Sequence, residues 1–513
     1  MAGATSAGTI LLAESDTQLG EVTVTAERQE TDIQRTPLAI TALDANQLRD
    51  YRVWSFSDLT ALAPSLLTTE HGNSTGSVFI NIRGVMGLHS QTAVATYIDG
   101  VYQFETFSVP LQFNNVERVE VLRGPQGTLY GRNAFGGAIN IITKKPTNKT
   151  EGYAEVDLGN YGQQRYSGSF STPLLRDKLF LGVSGTVNQR QGIYTNTVTD
   201  AAFDRPQSIA GGVNLRYLIS PSWSLDVNGR FERNEDKGSY PWVTSDSLLF
   251  ARPYVVGRNS ANTERHNNVN GSMAVHYRGN RINVDAISAV LDYRKWFPEG
   301  LDGDFTPVDI STVRSDDHIR TYTQEVRVSS NANADRKLNW TAGTFLWTAP
   351  NGTNVNNTSR NSEAGTTIAQ RNSLYSNGGI AFFGQATYRL AAQLTATAGL
   401  LYDHETRKLG QDRNTMSTSG MLTVVNPYTS FETSFGAVTP KVSLSYGLSA
   451  AALLYGQYAR GFRAGGLNVF APSFADVPFG PEYSDSYEVG YKNTRLNKRL
   501  RINVAAFYLQ QRS

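Results

Sequence analysis

Residues Asn114–Pro146 read NNVERVEVLRGPQGTLYGRNAFGGAINIITKKP, with Gly124, Gly127, Gly131, Gly136 and Gly137 set between two short apolar segments. A loop this rich in glycine suggests a phosphate cradle, but its chemistry is wrong for one. A P-loop needs G-x-x-x-x-G-K-[ST], with the lysine reaching the phosphates, and Gly-Lys-Ser/Thr does not occur in this chain. A dinucleotide fingerprint needs G-x-G-x-x-G at the opening of a helix, and that spacing is absent. The glycines instead punctuate a strand (VERVEVLRG), a turn (PQGTLYGRNAFG) and a second strand (GAINIITKKP), where they allow tight turning and close packing of backbone.

Around this stretch lies a small mixed α/β region. LDANQLRD predicts a helix with Asp44 as its N-cap, and SFSDLTALAP predicts a second short helix ended by Pro64. SVFINIRG, ATYIDGVY, VERVEVLRG and GAINIITKKP predict short strands.

From Gly152 onward the pattern changes and stays changed. Apolar residues recur at every second position, as at Leu179, Leu181, Val183 and Val187, at Trp223, Leu225, Val227 and Phe231, and at Ile282, Val284, Ala286 and Val290. Repeated period-two alternation predicts antiparallel sheet with one apolar and one polar face. Tight connections (Leu174–Asp177, Ile219–Ser222, Gly279-Asn280, Arg389–Ala392) alternate with long polar ones such as residues 234–266 and 348–370. Short turns on one side and long loops on the other predict an outer-membrane barrel rather than a soluble sandwich. About fifteen such strands precede the end of the chain, and hairpins in lipid must close on themselves.

Composition agrees. The formal net charge is +2, which gives no reason to expect a nucleic-acid partner. The chain has 46 glycines, 25 tyrosines and 23 phenylalanines, a balance that suits strands and loops. With no cysteine there are no disulfides, thiol nucleophiles or zinc–thiolate sites. No run of 18 apolar residues predicts a helical span, which leaves a transmembrane β-barrel open. The opening MAGATSAGTILLAES lacks the Lys or Arg of a signal peptide.

At the glycine-rich stretch the chain resembles the plug of TonB-dependent outer-membrane receptors. FINIRGV (Phe79–Val85) and TYIDGVY (Thr96–Tyr102) are similar to two earlier plug motifs, in order. PKVSLSY from Pro440, YGQYARGFRAGGLN from Tyr455 and GPEYSDSYEVGYKNTRLNKRLRINVAAFY from Gly480 resemble barrel segments of that family, so the resemblance runs from about Glu21 to the last residue. It implies a mainly β protein: a transmembrane antiparallel barrel, 22-stranded in the family, with an N-terminal α/β plug in its lumen. The division expected is a tail over 1–31, a plug over 32–149 and a barrel over 150–513, incomplete at its C-terminus.

The resemblance also assigns roles. Glu21, Val22, Thr23, Val24, Thr25 and Ala26 resemble the TonB box, whose alternating valines suit addition as a strand to a partner's sheet edge. Arg83 and Arg123, in the IRG and LRGP motifs, and Glu488, in YEVGYK, match a latch between plug and barrel, and a second latch glutamate is expected about fifty residues beyond Glu488. Guanidinium forks on a buried carboxylate suit a latch that can switch. Plug-apex segments 71–76, 86–91 and 103–107 supply substrate-contact candidates: His71, Asn73, Met86, His89, Gln91, Phe104 and Phe107.

Implied, then, is a transporter rather than an enzyme: a monomeric receptor of the Gram-negative outer membrane, embedded in its lipid. It would bind TonB of the inner-membrane complex and import a ferric siderophore or similar iron complex, driven by the proton gradient. It needs no cofactor, the iron being carried as a chelate. Vitamin B12, haem or an oligosaccharide would use the same architecture, and a passive porin is the rival of another class. His71, His89, His266, His276, His318 and His404 lack metal-ligand spacing, and Glu325 in YTQEVRVSS is expected on a strand facing the lumen.

Overall fold

The computed structural model describes residues 22–70, 78–87, 92–104, 112–241, 252–331, 336–362, 365–417 and 419–512. The N-terminal region opens with a small hairpin, β1 (Thr23–Val24) against β2 (Thr31–Asp32). After it come β3 (Ile40–Asp44), α1 (Ala45–Asp50), α2 (Phe56–Leu59), β4 (Leu66–Glu70), β5 (Val78–Ile82) and β6 (Val85–Met86). β7 (Val94–Ile98), β8 (Val101–Gln103), β9 (Val116–Arg123), α3 (Gly127–Tyr130) and β10 (Gly137–Thr143) complete it.

Local chemistry explains these boundaries. Asp44 caps α1 by accepting from the amides of Asn46 and Gln47, and its own amide donates in return to Gln47 Oε1. α2 is capped by Ser55 and Asp58 but stops at Leu59, five residues before Pro64, so its end is earlier than the proline suggested. The sheet order is β3-β9-β10-β7-β8, with β10 and β7 parallel and the other pairs antiparallel. Leu43, Phe56, Leu59, Val119, Val121, Ile139 and Ile141 form a core beneath it.

The glycine-rich stretch is therefore strand, one helical turn and strand, as the spacing required except for α3. Two of its glycines are obligatory. A Cβ on Gly137 would lie 2.4 Å from the Leu122 carbonyl oxygen, and Gly124 has φ +91° with Arg83 Nη1 only 2.6 Å from where its Cβ would stand.

Beyond residue 150 one sheet follows fifteen long strands in chain order, each antiparallel to the next, from Glu151–Gly159 to Leu500–Arg512. Its two faces invert the arrangement of a soluble sheet. On Trp223–Lys237 the outward residues Trp223, Val227 and Phe231 are exposed, while Asp226, Glu232, Asn234 and Asp236 are buried, Asp226 beside Lys145 and Glu232 beside the Gln112 amide of the N-terminal region. Lipid is the solvent that makes an exposed apolar face stable.

One connection differs from expectation. Of residues 348–370, read as a long loop, 348–362 and 365–370 are strand: Leu338–Ser362 and Gly365–Arg389 pair down to Ser362 opposite Gly365. At about 3.4 Å per residue, 25-residue strands far exceed the ~25 Å apolar band. Past that band both faces meet water, the alternation lapses, and the ladder of backbone hydrogen bonds continues without it.

The N-terminal region lies against the inner face. A second apolar cluster joins the two: Val24, Tyr97, Tyr102, Phe104 and Tyr130 pack with Trp347, Phe383 and Leu401 of the wall.

Candidate functional site

The interface between small domain and wall is built from ion pairs as much as from apolar contact. At its centre Arg83 pairs with Glu488, their side chains 2 % and 1 % exposed. Arg83 follows β5 in a left-handed conformation (φ +58°), which turns its side chain toward the wall. Glu488 also accepts from Tyr455 Oη at 2.7 Å and from the Ala39 amide at 3.2 Å, and the Phe507 ring lies 4.0 Å beneath the guanidinium carbon.

Arg123 lies in the same pocket of about 80 Å³, together with Lys492 and Tyr455. Its amide donates to Ala39 O at 3.0 Å, but its guanidinium makes no ion pair among the described residues. Burial, and then repulsion from Arg83, hold its pKa down against the pull of Glu488. Three cations thus converge on one carboxylate, with Arg83 Nε and Nη1 and Arg123 Nε lacking hydrogen-bond partners.

The segment expected to recruit a partner strand is folded inward. Thr23 and Val24 pair with Asp32 and Thr31, so this backbone edge is already occupied, and Val24 and Ala26 are buried. The Thr25 amide donates to Glu120 Oε1 at 2.9 Å, and Tyr130 Oη donates to Thr25 O at 3.2 Å. Glu21 lies outside the described residues.

Just beyond, Arg28 sits 4.4 Å from the ring centroids of both Tyr97 and Tyr130. It donates to Leu129 O at 3.1 Å and lies 3.8 Å from Glu325, which faces the lumen as expected and is also held by Arg327 at 2.7 Å. Lys492 Nζ donates to Ile33 O at 2.7 Å, pinning the end of the hairpin.

Sequence reasoning did not single out Arg28, nor the pair Arg132–Glu405, 3.1 Å apart and buried on both sides. Arg132 also lies 4.6 Å from the Trp347 ring. The only signals were position: Arg132 stands within the glycine-rich stretch, and Arg28 two residues past the alternating valines' segment, which ends at Ala26.

The apex candidates divide. His71, Asn73, His89, Gln91 and Phe107 lie outside the described residues. Met86 ends β6 with 41 % of its surface exposed. Phe104 is buried between Tyr102 and Trp347, with ring centroids at 4.6 and 4.9 Å, which makes it a packing contact with the wall rather than a surface open to solute. Among the described residues no three His, Cys, Asp or Glu side chains are grouped to hold a metal.

Comparison with known proteins agrees with this architecture. A family described as "TonB dependent receptor-like, beta-barrel" matches residues 146–513, and "TonB-dependent Receptor Plug Domain" matches 32–138. The chain is similar to the pesticin receptor of Yersinia pestis, 35 % identical over 162 residues that span 31 % of this chain and 24 % of the relative. It is also similar to the iron-regulated outer membrane virulence protein of Vibrio cholerae, 31 % identical over 182 residues, 33 % of this chain and 27 % of the relative. These matches span about a quarter of the curated relatives' length. Its fold is similar to the crystal structure of the ferric yersiniabactin uptake receptor of Yersinia pestis, with TM-score 0.81 and 21 % identity over 93 % of this chain and 72 % of that one.

Proposed function

The chain belongs to the TonB-dependent receptors, outer-membrane β-barrel proteins that are not enzymes, and on that premise we propose that it imports a ferric siderophore or similar iron complex into the periplasm. The observation that carries this reading is the polar seam between plug and wall. In buried ion pairs such as Arg83–Glu488 and Arg132–Glu405 the mutual attraction is largely offset by the cost of desolvating both charges, so this polar part of the seam, beside the apolar cluster around Trp347, can be rehydrated at modest net cost. The relatives named for iron regulation and for ferric yersiniabactin uptake support the cargo.

In this reading cargo binds at the plug apex, and residues 21–26 leave the lumen to add a strand to TonB, which pulls with energy from the proton gradient. Arg83, Arg123 and Glu488 hold the plug until that pull arrives. The protein acts as a monomer and has no cofactor of its own, the iron travelling inside its chelate.

The test is uptake of radiolabelled ferric siderophore by cells expressing the full-length gene, with and without residues 21–26. Uptake that depends on the segment supports the reading. No iron uptake by correctly inserted protein moves the search to cobalamin, haem and oligosaccharides. Conduction that ignores both the segment and membrane energy would make the protein a passive porin.

A further inference from the structure

The gap between plug and wall is uneven. Glu405, Lys441, Glu488 and Lys492 reach the plug from strands late in the sheet. Early in the sheet Asp226, Arg230 and Glu232 also reach the plug, but beside them Gly182, Ser184, Ala210, Gly212 and Asn214 line the inner face with small side chains that leave space.

Two cavities stand in line against this early wall. One, of about 50 Å³, lies between Gln112, Asn114, Ala210, Glu232 and Asn268. The other, of about 730 Å³, lies between Arg28, Lys145, Asn228, His276, Asp285 and Arg327. Register sets their order. On Arg205–Ser220 the first touches residues 210–214 and the second 214–216, nearer the tight turn at 221–222. Ile141, Thr143 and Asn214 line both, so the partition is thin.

That partition is an ion pair. Arg230 Nη2 meets Asp99 Oδ2 at 2.6 Å, and Asp99 also accepts from the Thr143 amide at 2.8 Å and hydroxyl at 2.7 Å. On the outer side, the buried oxygens Gln112 Oε1, Asn114 Oδ1 and Asn268 Oδ1 have no hydrogen-bond partner.

We propose that the two cavities are successive parts of one transit passage for a polar solute, with Arg230–Asp99 as its constriction. Naming the solute a ferric chelate rests on the import reading; the passage itself does not. The lower cavity is of the size that holds small molecules, about 300–1,000 Å³. Six arginine or lysine side chains, Arg28, Lys145 and Arg327 among them, face five carboxylates that include Asp99, Asp226 and Asp285, so charge nearly cancels and hydrogen bonding is favoured over net charge. Thr25 and Arg28–Glu30 form part of its lining, so withdrawal of the coupling segment widens the passage while the plug's apolar core stays folded.

The first test is entry of arabinose into proteoliposomes of the full-length receptor, followed by swelling, which needs neither TonB nor iron. Arg230→Ala swells severalfold faster than the unchanged protein. Arg230→Lys keeps the constriction closed, and Arg294→Ala, which breaks an exposed pair elsewhere on the sheet, stays at baseline. Swelling of Arg230→Ala at baseline overturns the proposal.

The second uses the absence of native cysteine. Asp99→Cys/Arg230→Cys, joined by a short thiol-bridging reagent, stops both the leak and ferric chelate uptake. A Phe135→Cys/Ser484→Cys bridge on the late wall, where Ser484 Oγ donates to Phe135 O at 2.9 Å, leaves uptake intact. If the late-wall bridge also blocks uptake, the plug moves as a whole and the passage is refuted while import stands. If neither variant takes up iron chelate before bridging, import fails, and the leak still decides the passage.

Discussion

Glu488 and Val489 are adjacent in sequence and opposite in environment: Glu488 is 3 % exposed against the plug, and Val489 is 59 % exposed on the outer face. The pleat alone separates them. Val489→Arg therefore places a charge in lipid without touching the plug, at a cost of about 2–4 kcal/mol near the bilayer midplane and less toward its edges. Expected is a lower temperature for loss of the heat-modifiable band in gel migration, with unchanged protease resistance of the plug.

Glu488 answers to the other face. Glu488→Ala leaves the Arg83 guanidinium buried without its carboxylate, a change of about 3–5 kcal/mol for a buried pair. Expected is faster proteolysis of residues 32–149 inside an intact barrel, with Arg83→Ala giving the same direction. Arg123→Ala should cost less, since Arg123 makes no ion pair among the described residues and its removal relieves repulsion with Arg83. Equal resistance in all three variants would remove the latch role.

The barrel was legible because lipid imposes a strict period: inward polar and outward apolar residues alternate wherever the wall crosses it. Reading failed at 348–362 and 365–370 for the same reason, since beyond the lipid nothing enforces the alternation and Thr- and Asn-rich strand resembles loop. The motif arginine Arg83 could be matched to Glu488 because both stand in recurring sequence patterns. Arg28 could not be matched to Tyr97 and Tyr130, which lie 69 and 102 residues away along the chain and meet it only through folding of the hairpin. Glu405 was hidden likewise: a lumen carboxylate reads as a solvated one until Arg132 is seen beside it.

Arg28 is the fastening of the coupling segment. A desolvated cation–π contact contributes about 2 kcal/mol, and here two rings share one guanidinium. Arg28→Ala should raise the open population of the segment by at least about tenfold. The measurement is the labelling rate of Thr23→Cys by a maleimide in detergent-solubilised receptor, with and without the second substitution. Arg28→Lys should fall between, since an ammonium keeps the charge but cannot stack as a plane. An unchanged rate would mean that Glu120, through Thr25, holds the segment by itself.

The two rings predict how that fastening responds to pH. Burial pushes the phenols of Tyr97 and Tyr130 up, and the nearby Arg28 pulls them down without cancelling the rise. Glu325 and Tyr102 face Tyr97, while Glu120 and Arg327 face Tyr130, and the carboxylates favour the neutral phenol further. A raised folded pKa means that the closed segment binds the phenolic proton more tightly than the open one. Its stabilisation is therefore whole below the free tyrosine value of about 10, and is lost as pH climbs from there through the raised values. A spin label at Thr23→Cys should report one mobility from pH 6 to 9 and loosen only in more alkaline solution. Tyr97→Phe, which removes one ionisable group but keeps its ring, should blunt that alkaline step. A step in the neutral range instead would assign control to a histidine rather than to the two phenols.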